Sequence, residues 1–239
     1  MMNLFYKIAD LITEIPSADG LDIRCKDYKC DEVESADIII RTELYRREKF
    51  DPTISAEIVA EVESGYQFYL QLINYDGFYL HSSAVVKDGK AYLFSGPCGV
   101  GKSTHTRLWQ ECFGEEAYVI NDDKPALRRI DGKWYVYGTP WCGKDGINRN
   151  EKALLAGVCF LKQGKENKIR RLSPLEAMQR VLPQTLHKFR KADLLNKMMQ
   201  NMDHLLSEIP VYELENRPEV EAAKLSYETM CKGAREAGI

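Results

Sequence analysis

Short apolar runs separated by polar turns occupy the first 62 residues of the chain. The stretches 36–41 (ADIIIR) and 56–62 (AEIVAEV) are typical, and each has the length of one strand. The next stretch, 65–79, is rich in aromatic residues and is expected to pack into the main core as a helix or a strand. The pattern predicts a small, β-rich N-terminal region over residues 1–79 that packs on the rest of the protein.

The pattern changes at residue 80, after which two Asp-Gly pairs, at 88–89 and 131–132, each stand between two apolar runs. Such an arrangement is typical of a tight β-hairpin. Ser173 is followed by a proline and an acid, which predicts the start of a helix. The other predicted elements are helices at 104–113, 175–186, 191–207 and 218–235 and strands at 118–120 and 154–161. Residues 80–239 are therefore predicted to form a second, larger domain, and the chain as a whole an α/β fold of α+β character.

The composition favours a soluble protein with a packed core, since 44% of its 239 residues are hydrophobic and 29% are charged. A formal net charge of −3 gives no general basic surface, so nucleic acid is not expected as a partner. The longest apolar run, 153–161, is far too short to span a bilayer. Residues 1–17 lack the cleavage pattern of a signal peptide. We therefore expect a cytoplasmic protein with no membrane partner.

The seven cysteines are irregularly spaced, with no C-x-x-C pair and no histidine pair at zinc-ligand spacing. An odd number of cysteines without a motif is typical of reduced thiols in a cytosolic protein. This reading is favoured over a structural metal site or a disulfide framework.

Residues 96–103 (GPCGVGKS) fit the phosphate-binding pattern G-x-x-x-x-G-K-[ST], and we call them the P-loop. Glycines allow the backbone to turn its N–H groups toward phosphate oxygens, and the dipole of the following helix adds positive potential there. A predicted strand precedes the loop and a predicted helix follows it, as the motif requires; the alternative is a solvated glycine-rich turn. Lys102 is expected to reach the terminal phosphates and Ser103 to bind Mg²⁺. The predicted nucleotide-binding residues are Gly96, Pro97, Cys98, Gly99, Val100, Gly101, Lys102, Ser103 and Thr104.

Asn121-Asp122-Asp123 forms a second polar cluster, at the end of a predicted strand. Successive side chains on a strand point in opposite directions, so one acid can face a metal ion while the other meets a nucleophile. Two carboxylates near a metal also differ in proton affinity, which suits one of them to base chemistry. The alternative is an Asx turn that closes the strand.

The order of these motifs, with His81, a hairpin, the P-loop and then Asn-Asp-Asp, resembles the HPr kinase/phosphorylase catalytic domain. It is most similar to the broader group of HPr-kinase-like proteins, whose fold is shared with phosphoenolpyruvate carboxykinase. The resemblance covers roughly residues 80–161 and implies a mixed, β-rich P-loop core with C-terminal helices. It also implies a kinase that uses ATP and Mg²⁺.

Carried over position by position, the resemblance implies that residues 96–103 bind the ATP phosphates. Ser103 and Asp122 would hold Mg²⁺, and Asp123 would accept the proton of an acceptor hydroxyl. His81 would lie beside the transferring phosphoryl group, although a lone histidine is also explained by a structural role. Asp123, His81 and Lys102 are thus the predicted catalytic residues.

The chain departs from the family pattern in the P-loop and after the paired acids. Cys98 replaces the usual serine, and the segment 137–144 (YGTPWCGK), followed by 145–150, replaces the glutamate- and arginine-bearing segment of HPr kinases. HPr itself is therefore in doubt as the substrate, as is any phosphorylase activity. Within the segment 137–144, Trp141 and Lys144 are candidates for substrate contact. The alternative is that this segment is a plain surface loop between strands.

Three cationic residues near the motifs are further candidates for phosphate contact: His105, Arg107 and Lys124. Leu108 and Trp109 are instead expected to be core residues of the P-loop helix. The leading hypothesis is transfer of the γ-phosphate to a hydroxyl, foremost a serine in a protein or peptide. A small acceptor such as free serine and a nucleotide-gated binding module without transfer are the alternatives, and a homo-oligomer is left open. Asp123 separates these classes, because a transferase needs a base there and a switch needs only a metal ligand.

Overall fold

The structure is a computed structural model that describes residues 3–17, 20–31, 33, 35–186, 189 and 191–239. Residues 1, 2, 18, 19, 32 and 34 of the predicted N-terminal region lie outside this part of the chain. None of the helices in the described part has the length and apolar character that crossing a membrane requires.

The chain combines strands and α-helices around a mixed sheet, which confirms the predicted α/β class. The strands are β1 (Asn3–Ile8), β2 (Leu11–Pro16), β3 (Ile38–Ile39), β4 (Gly77–Tyr79), β5 (Ser82–Lys87), β6 (Lys90–Ser95), β7 (Ala117–Asp123), β8 (Ala126–Ile130), β9 (Lys133–Tyr137), β10 (Lys152–Gln163), β11 (Lys168–Arg171) and β12 (Val211–Asn216). The helices are α1 (Leu21–Cys25), α2 (Ala56–Leu72), α3 (Lys102–Phe113), α4 (Pro174–Val181), α5 (Ala192–Glu208) and α6 (Val220–Glu236).

The large sheet runs in the order β4-β8-β9-β10-β6-β5-β7, and β12 and β11 extend it beside β10. Both predicted hairpins are confirmed, as the antiparallel pairs β5–β6 and β8–β9. Their turns, at 88–89 and 131–132, have positive φ at both residues, the conformation that favours Asp-Gly. The central strand β10, the predicted buried strand at 154–161, is parallel to both β6 and β12.

A second sheet, in the order β1-β2-β3, lies at the N-terminus. The predicted strand at 36–41 is confirmed in its centre as β3, but the predicted strand at 56–62 is wrong, because these residues begin α2. Ser55 caps this helix by accepting a hydrogen bond from the backbone N–H of Ile58. A run as short as 56–62 fits either period, and the helical repeat of buried positions becomes visible only over all of α2.

The aromatic-rich stretch 65–79 supplies the second half of α2 and β4, and β4 pairs with β8 in the large sheet. The predicted boundary between residues 79 and 80 stays a prediction. The predicted C-terminal helices are confirmed as α4, α5 and α6. Helix α4 ends at Val181, earlier than predicted, and the next turn contains Pro183, which has no N–H for a helical hydrogen bond. Strands β11 and β12 were not predicted.

Helix α3, which follows the P-loop, is anchored on its buried face by an aromatic cluster. Trp109 is fully buried, packs against Phe94 and Tyr92 of β6, and donates a hydrogen bond of 2.9 Å to Ser226 Oγ of α6. Leu108 is also buried, so both expected core residues are confirmed. Burial of this cluster fixes the position of the helix N-terminus relative to the sheet.

The segment between β9 and β10 returns along β7 and packs tightly against it. Arg149 N donates to Ile120 O at 2.9 Å, and Gly138 lies between these two backbones. A Cβ at Gly138 would overlap the carbonyl oxygen of Arg149 and lie 2.8 Å from that of Ile120. Only glycine therefore allows this approach.

We expect Gly138→Ala to destabilise the protein by about 3 kcal/mol. Both clashing atoms are backbone carbonyl oxygens, which cannot move aside as the end of a flexible side chain can. Urea denaturation measures the loss. Gly143→Ala is the matched control in the same segment, since its Cβ would find Asp122 O at an ordinary 3.4 Å. That control should change the free energy of unfolding by less than about 0.5 kcal/mol. Equal losses in the two variants would contradict the proposed clash.

Candidate active site

The P-loop connects the end of β6 to the start of α3 and adopts a backbone that requires glycine. Gly96, Gly99 and Gly101 have φ values of +143°, +78° and +107°, which side-chain-bearing residues rarely adopt. In the described part of the chain, no atom beyond the glycine itself and its two chain neighbours lies within 4 Å of a Cβ built at Gly99 or Gly101, so backbone conformation and not crowding calls for glycine there. The strand before the loop and the helix after it satisfy the context that the sequence motif requires.

The first residues of α3 face the paired acids. Ser103 Oγ donates to Asp122, at 2.9 Å from Oδ2 and 3.1 Å from Oδ1. Lys102 Nζ donates back to the loop carbonyls of Gly96 and Pro97, at 3.2 and 3.3 Å. Burial lowers the pKa of the Lys102 amine, and the nearby negative charge of Asp123 opposes that shift. The Lys102 amine therefore lies near the acids, but its hydrogen bonds go to the loop carbonyls.

The two acids have different surroundings, as strand alternation predicts. Asp122 turns toward Ser103, whereas Asp123 has a φ of +110° and turns toward His81 and Lys124. His81 Nε2 lies 3.1 Å from Asp123 Oδ1, and Lys124 Nζ binds Oδ2. Burial raises the pKa of Asp123, but the contacts from His81 and Lys124 outweigh it and hold the pKa at about 2. Asp123 is thus a carboxylate at neutral pH.

His81 is held by a residue that the sequence did not single out. Its Nδ1 lies 2.9 Å from Gln184 Oε1, and its backbone N–H donates to Gln184 O at 2.8 Å. Gln184 follows α4, and nothing in its local sequence marks it, because the contact spans 103 positions of the chain. These two bonds orient the imidazole toward Asp123.

Asn121 has a structural role. Its Oδ1 accepts from Lys124 N at 3.0 Å, and its Nδ2 donates to Thr139 O at 3.0 Å. Tyr69 of α2 completes this network by donating from its hydroxyl to Lys124 O. The asparagine therefore closes the turn after β7, as one reading of Asn-Asp-Asp expects, while both carboxylates stay available to the site.

A cleft of about 440 Å³, which we call the acid cleft, brings the predicted residues together. It is lined by His81, Cys98, Gly99, Gly101, Lys102, Ser103, Thr104, Asp122, Asp123, Gly143, Lys144 and Asp145. A second space of about 510 Å³, the rear groove, lies on the other side of the P-loop. Gly99, Gly101 and Thr104 line both spaces, so both adjoin the P-loop and the start of α3.

His105 has a structural role, and Trp141 is more buried than a surface loop would leave it. His105 is buried, with its ring centroid 4.4 Å from that of Phe94 and its Nε2 3.1 Å from Ser226 Oγ. The expectation that it faces phosphate or solvent is therefore wrong. Burial lowers its pKa to about 3, which leaves it neutral. Trp141 is buried against Phe68 at 4.6 Å rather than presented on a surface loop. The burial of Trp141 depends on the hydrophobic face of α2, and that of His105 on the contact between α3 and α6, which are far apart in the chain. Neither contact can be recognised from the local sequence.

The other two cationic candidates each pair with an acid that lines the acid cleft. Arg107 is exposed and pairs with Asp145 at 2.8 Å, which joins α3 to the segment after β9. Lys124 binds Asp123. Within the residues that the structure describes, no three histidine, cysteine or acidic side chains cluster as a metal site. The oxygens of Ser103 and Asp122 are nevertheless hard donors that suit Mg²⁺, which commonly takes only one or two protein ligands beside substrate phosphates.

Comparison with known proteins adds little. The solved structure of the HPr(Ser) kinase/phosphatase from Coxiella burnetii is similar over 66% of this chain and 90% of its own, with 12% sequence identity and a TM-score of 0.36. No family model matches the chain, and no curated protein matches it. A likeness at this TM-score carries no argument about chemistry, so membership of the HPr-kinase-like group stays a prediction.

The low pKa of Asp123 predicts how stability changes in acid. A carboxyl whose pKa falls from 3.8 to about 2 on folding stabilises the protein above pH 4, and this contribution is lost as the pH falls toward 2. Asp123→Asn lacks this titration, so its free energy of unfolding should fall by about 2 kcal/mol less over the same window. Denaturation at stepped pH measures the difference.

The control is Asp145→Asn, which removes only an exposed ion pair with Arg107 and should keep the wild-type slope. Parallel curves for the wild type and Asp123→Asn would show that the carboxylate makes no net favourable interaction in the folded protein.

Proposed function

We propose that the protein is a kinase that transfers the γ-phosphate of ATP to a hydroxyl group. The observation that carries the proposal is the meeting, in one cleft, of a P-loop lysine and serine with two acids in unlike surroundings. A phosphate-binding loop alone would suit any nucleotide-binding protein. A second carboxylate that faces away from the metal-binding residues is what a phosphoryl transferase additionally needs.

The two spaces on either side of the P-loop suggest how the nucleotide lies. The phosphates would rest against the backbone N–H groups of residues 96–103 and the N-terminus of α3. The rear groove has room for the nucleoside, and the γ-phosphate would then point into the acid cleft beside Lys102. Ser103 and Asp122 would hold Mg²⁺, which when bound neutralises charge on the phosphate oxygens.

Transfer itself requires the acceptor hydroxyl to lie between the γ-phosphate and Asp123. The hydroxyl oxygen forms a bond to phosphorus while the bond to the bridging oxygen of ADP breaks, and ADP leaves with that electron pair. The hydroxyl proton passes to a carboxylate oxygen of Asp123. With a pKa of about 2, Asp123 is a weak base, so it mainly orients the hydroxyl and takes its proton late in the transfer.

Lys124 would supply positive potential beside that carboxylate, and His81, within hydrogen-bond distance of its other oxygen, would help to fix its direction. The leading acceptor is a serine in a protein or peptide, and a small molecule such as free serine is the alternative. The proposal retains the cytoplasmic location expected from the sequence and does not involve nucleic acid or a membrane. A nucleotide-gated module without transfer is the second candidate, favoured by the network that links the turn after Asp123 to α2.

We expect Lys102→Ala to weaken the binding of Mg·ATP at least tenfold while leaving the fold intact. The Lys102 side chain bonds only to the carbonyls of its own loop in the described part of the structure, and it is free to turn to phosphates instead. Isothermal titration calorimetry gives the affinities. Cys98→Ser is the control in the same loop: its side chain is exposed, and the backbone N–H would contact the phosphate, so binding should be unchanged. Equal affinity in Lys102→Ala and the wild type would refute a phosphate role.

We expect Asp123→Asn to retain Mg·ATP binding and to slow phosphoryl transfer by roughly 10²–10⁴-fold, the usual contribution of a positioned acid or base. Asp122→Asn, next to it, should instead weaken nucleotide binding and its dependence on Mg²⁺. Single-turnover transfer from γ-labelled ATP, after a screen for the acceptor, separates the two effects. Full transfer in Asp123→Asn would remove it as the proton acceptor, and full transfer in both variants would favour the gated module.

A further inference from the structure

A third cavity, of about 220 Å³, lies beside Lys124, the residue after Asp123, and we call it the aromatic pocket. Its walls are mainly the rings of Tyr66, Tyr69, Tyr79 and Trp141, together with Val62 and Lys124. A cavity of about 150 Å³ holds one benzene molecule, so this space has room for one aromatic ring.

The pocket walls are already fixed in position. Trp141 Nε1 donates to Ser64 Oγ at 3.0 Å, and its ring lies so close to α2 that a Cβ at Gly65 would meet it at 2.8 Å. The Tyr69 ring packs on Trp141 and Tyr79, at 5.6 and 4.8 Å between centroids. A ligand ring would therefore enter a preformed site, and its binding would cost little conformational entropy of the pocket side chains.

The charged groups on the pocket wall are already paired. Glu61 binds Arg24 at 3.0 Å, and Lys124 binds Asp123. The hydroxyl of Tyr69 is bonded to Lys124 O and to Thr139. Neither a cationic nor an anionic ligand would find an unpaired counter-charge among these groups, so the lining favours a neutral, apolar ring.

Three of the pocket residues adjoin the contacts of Asp123. Lys124 is its ion-pair partner, Tyr79 precedes His81 by two positions, and Trp141 precedes Cys142, whose backbone bridges to Asp123. The negative charge of Asp123 also contributes to the raised pKa of Tyr79, after burial. The pocket therefore adjoins the turn that carries Asp123, where the hydroxyl of an acceptor would lie.

We propose that the aromatic pocket selects the phosphoryl acceptor, by binding an aromatic side chain of a peptide whose serine lies at Asp123. This proposal rests on the kinase function above and narrows its substrate class. Free serine would leave the pocket empty, so the pocket favours a peptide over that small molecule.

The test uses short blocked peptides that contain one serine in an alanine background, with a phenylalanine placed in turn at each position from two before the serine to two after it. Binding to the full chain is measured by calorimetry with a non-hydrolysable Mg·ATP analogue, and transfer is measured separately with γ-labelled ATP. At least one phenylalanine peptide should bind roughly ten- to a hundredfold more tightly than the all-alanine peptide, as expected for burial of one ring.

Val62→Glu and Ile58→Glu form a matched pair of variants on α2. Val62 lines the pocket, whereas Ile58 lies one helical turn earlier and is not part of the lining. The two side chains are similarly exposed, at 48% for Val62 and 46% for Ile58. Both should fold and bind Mg·ATP as the wild type does. Val62→Glu should reduce the phenylalanine preference to less than about threefold, since it places a charge at the ring, whereas Ile58→Glu should retain it.

Binding without a phenylalanine preference at any position, or a preference that survives in Val62→Glu, would overturn the pocket assignment. Transfer to the all-alanine peptide at full rate would do the same while leaving the kinase function standing. A phenylalanine preference in binding with no transfer would show a pocket that binds peptides without selecting a phosphoryl acceptor, and it would favour the gated module over a peptide kinase.

Discussion

The site depends on the register of one strand, β5, with its two neighbours. Ser82 is opposite Ser95 of β6 on one side and opposite Asp123 of β7 on the other. The three positions lie in one row across the sheet, so the residues next to them meet at one edge: His81 before Ser82, and Gly96 after Ser95. A slip of one residue in either pair would turn every side chain of a strand to the opposite face. The P-loop, the histidine and the acids come together through this single alignment.

An irregularity in β7 decides which acid meets which partner. Ala84 is opposite Asn121, but Val85 is opposite Val119, so Ile120 is an extra residue and forms a β-bulge. Without it, a strand anchored at Val119 would bring Asp122, and not Asp123, opposite Ser82. Bulges commonly re-aim side chains beside active sites, and this one coincides with the point where Arg149 N bonds to Ile120 O. The segment after β9 thus stabilises the irregularity that directs Asp122 and Asp123 to different partners.

Local chemistry made much of this predictable from sequence. The P-loop glycines, the Asp-Gly turns and the capped start of α4 depend on residues within a few positions of one another, and each was found where it was expected. The bulge, the contact of Gln184 with His81 and the burial of Trp141 were not predictable in this way. They depend on pairings between segments far apart in the chain, for which no local pattern exists. The prediction of a strand at 56–62 is wrong for a related reason, because the helical period of α2 is visible only over a longer stretch than these seven residues.

Helix α2 makes the N-terminal region part of the site and not an appendage to it. Tyr69 reaches from this helix to the carbonyl of Lys124, and Ser64 holds Trp141, which precedes the residue bridged to Asp123. The turn that carries the second acid is therefore supported from one side by the sheet and from the other by α2. Any shift of α2 along its axis would move the aromatic pocket and the Lys124 turn together. The acceptor pocket proposed here and the carboxylate that would take the acceptor's proton are thus positioned by the same helix, which gives binding and chemistry one shared structural support.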